Sequence, residues 1–300
     1  MSSEEGIKEL QRCFSTFGEG YGTEYERYAL NRYITHLITR YNVSRVLEMP
    51  ANGVMGIPGI NSLMFAKLGC EVTVAHPSTD FLDAARKMWD AFGLNAHFVR
   101  SDWIDSEFED ASFDLVWNFC VYGHFEAPEK VIREMLRVSR RYIFVEFQNV
   151  HNPGFHIHRL QHFLQKEPWD HGDPGKLKFS KVRKALEEFR GAIVEVGGLD
   201  MPPWPDIPIN LKEAFRRGIS GLDSSEKIDK EPADDLRPKV TVKDLNEIVS
   251  AICACAPASE RAGRTLRLFE IWYKVIEKRA PLLLKKAYAH HLYVVAEKRR

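Results

Sequence analysis

The 300-residue sequence predicts an α/β fold, a largely parallel sheet with helices on both faces. Three observations point there. Short apolar, β-branched runs recur between residues 45 and 147, and segments of helical periodicity alternate with them. The links between them are short, as in parallel sheets covered by crossover helices. The composition, 44% hydrophobic and 28% charged, is that of a globular chain with a sizeable core.

Taken in order, residues 24–41 place Tyr25, Ala29, Tyr33, Ile34, Leu37, Ile38 and Tyr41 at helical spacing. SRVLEM reads as a first, buried strand. A Gly/Pro-rich loop follows, then NSLMFAKLG as a short helix ending at Gly69. EVTVA (71–75) is the second strand, TDFLDAARKMWDAFG (79–93) an amphipathic helix, NAHFV (95–99) the third strand and FDLVWNF (113–119) the fourth. PEKVIREMLRVS (128–139) has Pro at a helix start and apolar Val131, Ile132, Met135 and Leu136 on one face. RYIFVEF (141–147) is the fifth strand.

The second half is less regular. Residues 148–175 read as a long loop containing a short helix, HIHRLQHFLQ, with histidines at 151, 156, 158, 162 and 171. FSKVRKALEEFR is a helix and AIVEVG a sixth strand. MPPWPDIP is irregular, because proline lacks an N–H and restricts its predecessor. Residues 209–280 are mostly helical with a polar break at 223–238, and AYAHHLYVVAEK is a last strand. The chain is one domain: an N-terminal helical segment (1–42), a core (43–150), a loop, helix and sixth strand (151–200), a helical cap (201–281), and the last strand with a basic tail (282–300).

Composition narrows the function classes. Lys+Arg and Asp+Glu are both 42, so the overall balance gives no general pull toward nucleic acid or an anionic membrane, and neither is expected as a partner. No run is apolar for the ~18 residues of a membrane helix. Five cysteines read as reduced thiols, and the polar, acidic start is no signal peptide, so the expected location is cytoplasmic.

Binding crevices in open α/β sheets lie at the carboxyl ends of the strands. The first such end carries PANGVMGIPGINS, in which Gly53, Gly56 and Gly59 recur every third residue. Glycine there lets backbone approach a ligand closely, and the helix that follows offers free N–H groups. No G-K-[ST] follows Gly53, so the loop is not a phosphate-transfer loop.

This loop, then VTVAHPS, HFVRSDW and EDASFDLVWNFCVYGHFEAPEKVIREMLRVS, resembles the class I S-adenosylmethionine-dependent methyltransferases, closest to their small-molecule, type-eleven branch. The resemblance covers about residues 40–150, and more weakly GGLDMPPWPD and the last strand. It implies a Rossmann-like seven-stranded sheet whose final strand is antiparallel, with S-adenosylmethionine as cofactor and a small-molecule acceptor. Glu48 is implied as the acid that anchors the glycine loop and the methionine end of the cofactor, with Gly53, Gly56 and Gly59 beside it. Asp102 would take the adenine amino group with Trp103 beside the ring, and Asn118, Phe119 and Tyr122 would lie beside the transferable methyl, Tyr122 facing the acceptor.

Two positions depart from the family pattern. Pro50 and Asn52 stand where it has its first two loop glycines, and His76 stands where it has the ribose-binding acid. An imidazole can give or accept one bond, but not the two charge-assisted bonds of a carboxylate. A binding protein on the same fold, without turnover, is the alternative reading. For a general base the candidates are His124, Glu146 and His151, which sequence order places after strands four and five. Trp204, between prolines, is the candidate acceptor wall. His158 and His162 could share a helix face, but no carboxylate or cysteine stands near to complete a set, so no metal is expected. Cys253 and Cys255 read as buried small side chains.

Overall fold

The computed structural model describes residues 21–52, 58–166, 168–169, 171–202 and 267–299. Seven strands form one sheet: β1 (Arg45–Glu48), β2 (Glu71–His76), β3 (His97–Arg100), β4 (Phe113–Asn118), β5 (Ser139–Gln148), β6 (Gly191–Leu199) and β7 (His291–Lys298), in the order β3-β2-β1-β4-β5-β7-β6. The first five are mutually parallel, whereas β7 runs antiparallel to both β5 and β6. Gln148 pairs with His291, so β7 begins where β5 ends. The carboxyl ends of β1–β5 and the amino end of β7 therefore share one edge.

Helices cover both faces. α1 (Tyr21–Tyr41), a 3-10 turn (Ile60–Ser62), α2 (Leu63–Lys67) and α3 (Thr79–Ala91) pack on one side, where Ile34, Leu37, Phe65, Trp89, Trp117 and Phe144 share a core. α4 (Pro128–Val138), α5 (Pro153–Gln165) and α6 (Phe179–Glu188) pack on the other, around Val131, Ile132, Met135, Phe147, Phe155 and Leu186. β4 is buried at every position, which is why FDLVWN is apolar except at Asp114 and Asn118. The Ser78 hydroxyl accepts from the Phe81 N–H and starts α3.

Two expectations need correction. The helix in 148–175 starts at Pro153, not at His156: α5 spans 13 residues, because the Asn152 side chain caps it and Pro153 opens it. The last strand begins at His291, not at Ala287, because a helix, α7 (Leu282–Tyr288), precedes it. Within the segment 201–281, Phe269 and Tyr273 form a separate cluster with Tyr25, Tyr28 and Ala29 of α1. Trp204, Phe215, Cys253 and Cys255 lie outside the described residues, as do Gly53 and Gly56. Among the described residues no helix is long and apolar enough to cross a membrane.

Candidate functional site

The strand edge divides into two halves. Over β1, β2 and β3 stand Glu48, Gly59, His76 and Asp102. Glu48 ends β1 and is fully buried. Its Oε2 accepts from the Ser62 hydroxyl at 2.6 Å, and its Oε1 accepts from the Asn52 N–H at 3.4 Å. Ser62 Oγ in turn accepts from the Trp117 indole N–H at 3.1 Å. One carboxylate thus ties the loop after β1 to the helix that follows. Burial pushes its pKa up to about 7, against the hydrogen bonds from Ser62, Asn52 and Asn61.

Gly59 sits in the left-handed region, φ 69°. Its carbonyl accepts from the buried Trp89 indole at 2.9 Å, and a Cβ there would lie 2.9 Å from the Ala85 Cβ. The loop therefore passes α3 at a distance that only glycine allows.

His76 ends β2. Its Nδ1 accepts from the Ser78 N–H at 3.0 Å, and its ring stacks on Phe81 at 4.0 Å. Burial lowers its pKa, against the bond from Ser78, so it is held as a neutral imidazole. Asp102 is exposed, just past β3, and its Oδ1 accepts from the N–H groups of Trp103 and Ile104 at 2.6 and 3.1 Å. It caps its own turn, while Trp103 packs toward Phe125 at 5.7 Å.

The other half lies over β4, β5 and β7. Asn118 and Phe119 are buried at the end of β4, Phe119 beside the His291 ring at 5.3 Å. Tyr122 is 1% exposed, within the core and 6.2 Å from Phe147. The three candidate bases do not converge. Glu146 is fully buried, whereas His124 and His151 are exposed on turns after β4 and β5.

Glu146 is instead part of a group that the sequence reading missed. Its Oε1 lies 2.6 Å from His291 Nδ1, and its Oε2 accepts from the Cys120 N–H at 2.9 Å. Cys120 has φ 55° and sets its sulfur 3.7 Å from the same His291 Nδ1. On the far side His291 Nε2 lies 3.8 Å from Glu26 of α1. Next to it, His290 Nδ1 lies 3.1 Å from the Asp200 carboxylate. Burial works against a charged His291, but Glu146 above all holds its pKa well above the usual imidazole value.

This is not a cysteine–histidine relay. The thiol and the carboxylate face one imidazole nitrogen, whereas a relay needs one on each. Burial also pushes the Cys120 thiol up, away from thiolate, although His291 opposes the shift. What the group offers is a buried imidazole between two carboxylates, which favour its charged, proton-holding form. The signal was the paired histidine before the last strand, which becomes legible only once β7 is known to run antiparallel to β5.

Residues 55–142 match the profile of a methyltransferase domain family, the eleventh of that name. No curated protein matches the sequence. Among solved structures the chain is similar to magnesium protoporphyrin IX methyltransferase from Synechocystis PCC 6803 with bound S-adenosylhomocysteine, at 17% identity, covering 67% of this chain and 90% of that one, TM-score 0.47. It is also similar to the YcgJ protein from Bacillus subtilis, at 16% identity over 91% and 99% of the two chains, TM-score 0.45. A third is an S-adenosylmethionine-dependent methyltransferase from Aquifex aeolicus, at 16% identity over 55% and 83%, TM-score 0.40.

Proposed function

We propose that this chain, whose residues 55–142 match a methyltransferase domain family, transfers a methyl group from S-adenosylmethionine to a small organic acceptor. The observation that carries the reading is Glu48. A fully buried carboxylate at the end of β1 spans the following loop and helix, next to a backbone approach at Gly59 that a Cβ would obstruct. Those residues fit the methionine end of the cofactor. Asp102 would take the adenine edge with the oxygen that its turn leaves over, and His76 would offer the ribose its second ring nitrogen.

The cofactor supplies an already activated methyl group. The chain's own residues then have two tasks: to align the acceptor in line with the methyl and to exclude water. In this reading the acceptor lies over β4 and β5, against Phe119 and the Cys120 turn. Its proton would pass to the Glu26 carboxylate, which stands at Nε2 of a His291 favoured in its charged form, with Glu146 holding the ring at Nδ1. His124 and His151 would then line the mouth.

Calorimetry on the full chain tests the first half. S-adenosylmethionine and its demethylated product should both bind, and Glu48→Gln should weaken both. No binding at millimolar ligand would overturn the reading. The second reading, binding without turnover, is favoured by His76, whose Nδ1 is already engaged by Ser78. The discriminating measurement is release of S-adenosylhomocysteine in the presence of the acceptor identified by mass spectrometry of co-purified ligand.

A further inference from the structure

Three imidazoles meet outside the site just described. His158 and His162 stand one turn apart on α5, and His171 returns from the segment that follows. His158 Nε2 lies 3.0 Å from His162 Nε2 and 3.0 Å from His171 Nε2. One ring nitrogen from each lies within 4.8 Å of the other two, and all three residues are half-buried.

An imidazole nitrogen carries either one lone pair or one hydrogen. His158 Nε2 is therefore suited to one linear partner, yet it has two nitrogens at hydrogen-bond length. A cation among the three nitrogens resolves that conflict. Metal–nitrogen bonds of about 2.0–2.1 Å at tetrahedral angles set ligand nitrogens roughly 3.3 Å apart, close to what is seen. The tautomer also fits. His162 Nδ1 lies 3.0 Å from the Pro168 carbonyl, so its hydrogen belongs there and the lone pair is left on Nε2. Trp169 packs against all three rings, with centroids 5.7, 5.3 and 4.8 Å away, and its indole N–H is fixed on the Gly172 carbonyl at 2.7 Å.

We propose that His158, His162 and His171 bind one divalent transition-metal ion of the zinc class through Nε2, with water in the fourth position. Three imidazole nitrogens suit Zn2+, Co2+, Ni2+ or Cu2+ and not Mg2+ or Ca2+. The absence of a nearby carboxylate or cysteine argued against a metal in the sequence, but the third ligand is a histidine supplied by the next segment. The ion would clasp α5 to that segment. There the Asp173 N–H bonds to the Gly123 carbonyl at 2.9 Å, and a Cβ on Gly172 would lie 2.7 Å from the Gly123 carbonyl carbon. Gly123 belongs to the turn after β4, so the clasp fixes one wall beside the acceptor half. The metal site stands or falls independently of methyl transfer.

The test uses untagged, full-length protein stripped with a chelator. It should take up about one equivalent of Zn2+ and gain melting temperature. Co2+ in its place should give the visible absorption of a low-coordinate site, without the near-ultraviolet thiolate band that Cys120 ligation would add. Uptake should fall by about 100-fold or more in His158→Gln/His162→Gln, since loss of a supporting group alone costs up to that much. It should be unchanged in Cys120→Ser. Failure of the wild-type chain to take up Zn2+ overturns the proposal. So does a thiolate band in the wild-type Co2+ spectrum, which needs no variant to fold. Retention of uptake in the histidine variant, or its loss in Cys120→Ser, does the same.

Discussion

Gly59 is held by its own backbone conformation and by its neighbours. Its φ of 69° suits glycine, and Ala85 stands 2.9 Å from where a Cβ would be. Gly59→Ala should cost roughly 1–3 kcal/mol, the range for strain at a position the surroundings over-determine. Urea melts of the two proteins measure it, and an unchanged midpoint would mean that the loop relaxes freely. Asp102 calls for a subtler substitution. Its Oδ1 holds the turn, so alanine would remove both the turn and any ligand contact. Asp102→Asn keeps an oxygen for Trp103 and Ile104 but turns an amide toward the adenine amino group, donor against donor. Binding of S-adenosylmethionine should fall about tenfold or more, since a bond to a charged group contributes about 1.5–3 kcal/mol. The melting temperature should hold, and unaltered affinity would remove Asp102 from the cofactor site.

Between elements the decisive contact is Glu277. It stands in a π-helical segment (Tyr273–Glu277) before α7, yet its carboxylate accepts from Tyr25 of α1 at 2.5 Å and from the N–H groups of Asp200 and Met201 at 3.0 and 3.1 Å. It therefore ties the first helix, the end of β6 and the return to β7 to one point. Tyr25→Phe keeps the ring packing against Phe269 and deletes one donor to a buried carboxylate. The expected loss is about 1–3 kcal/mol, read from thermal or chemical unfolding. A variant as stable as the parent would show that the carboxylate finds another donor. This contact also marks what sequence could and could not show. The strands were legible because each is a short buried run, and the helices because their apolar positions repeat. Glu48 was legible because it ends such a run before a glycine loop. Glu277 was not: nothing local distinguishes it from Glu270 in the same segment. His290, His291, Glu26 and Asp200 were hidden for the same reason. They meet only because β7 returns antiparallel between β5 and β6.

At the scale of the whole molecule, buried carboxylates set the pH at which the fold is most stable. Burial pushes both Glu48 and Glu277 from about 4.5 up to about 7. Between those values the folded chain binds protons that the unfolded chain has already released, so stability falls as pH rises through that window. For Glu48 the full effect is roughly 3 kcal/mol. His291 acts in the same sense: raised well above its ordinary value, it stabilises fully below about 6.5 and loses that as pH climbs through its folded pKa. Asp114, Glu134 and Glu195 act at the other end. Burial opposes their ionisation, but hydrogen bonds from Ser44, Arg137 and Tyr41 respectively outweigh it and hold their pKa values down. Their contribution is complete above the ordinary carboxylate range and disappears only as pH falls below it. His76, held neutral, opposes the trend as pH drops below about 6.5, but it is only half-buried and counts for less. The balance puts the maximum on the acid side of neutrality, at about pH 4.5–5.5 by the same linkage. The ligand-free protein should therefore melt at a higher temperature near pH 5.5 than near pH 8. Glu48→Gln should narrow that gap, by gaining stability at the alkaline end where the parent keeps a buried charge. Equal melting temperatures at the two pH values, or a gap untouched by Glu48→Gln, would mean that Glu48 is ionised at little cost. The buried anchor of the proposed cofactor site would then have a source of compensation beyond Ser62, Asn52 and Asn61.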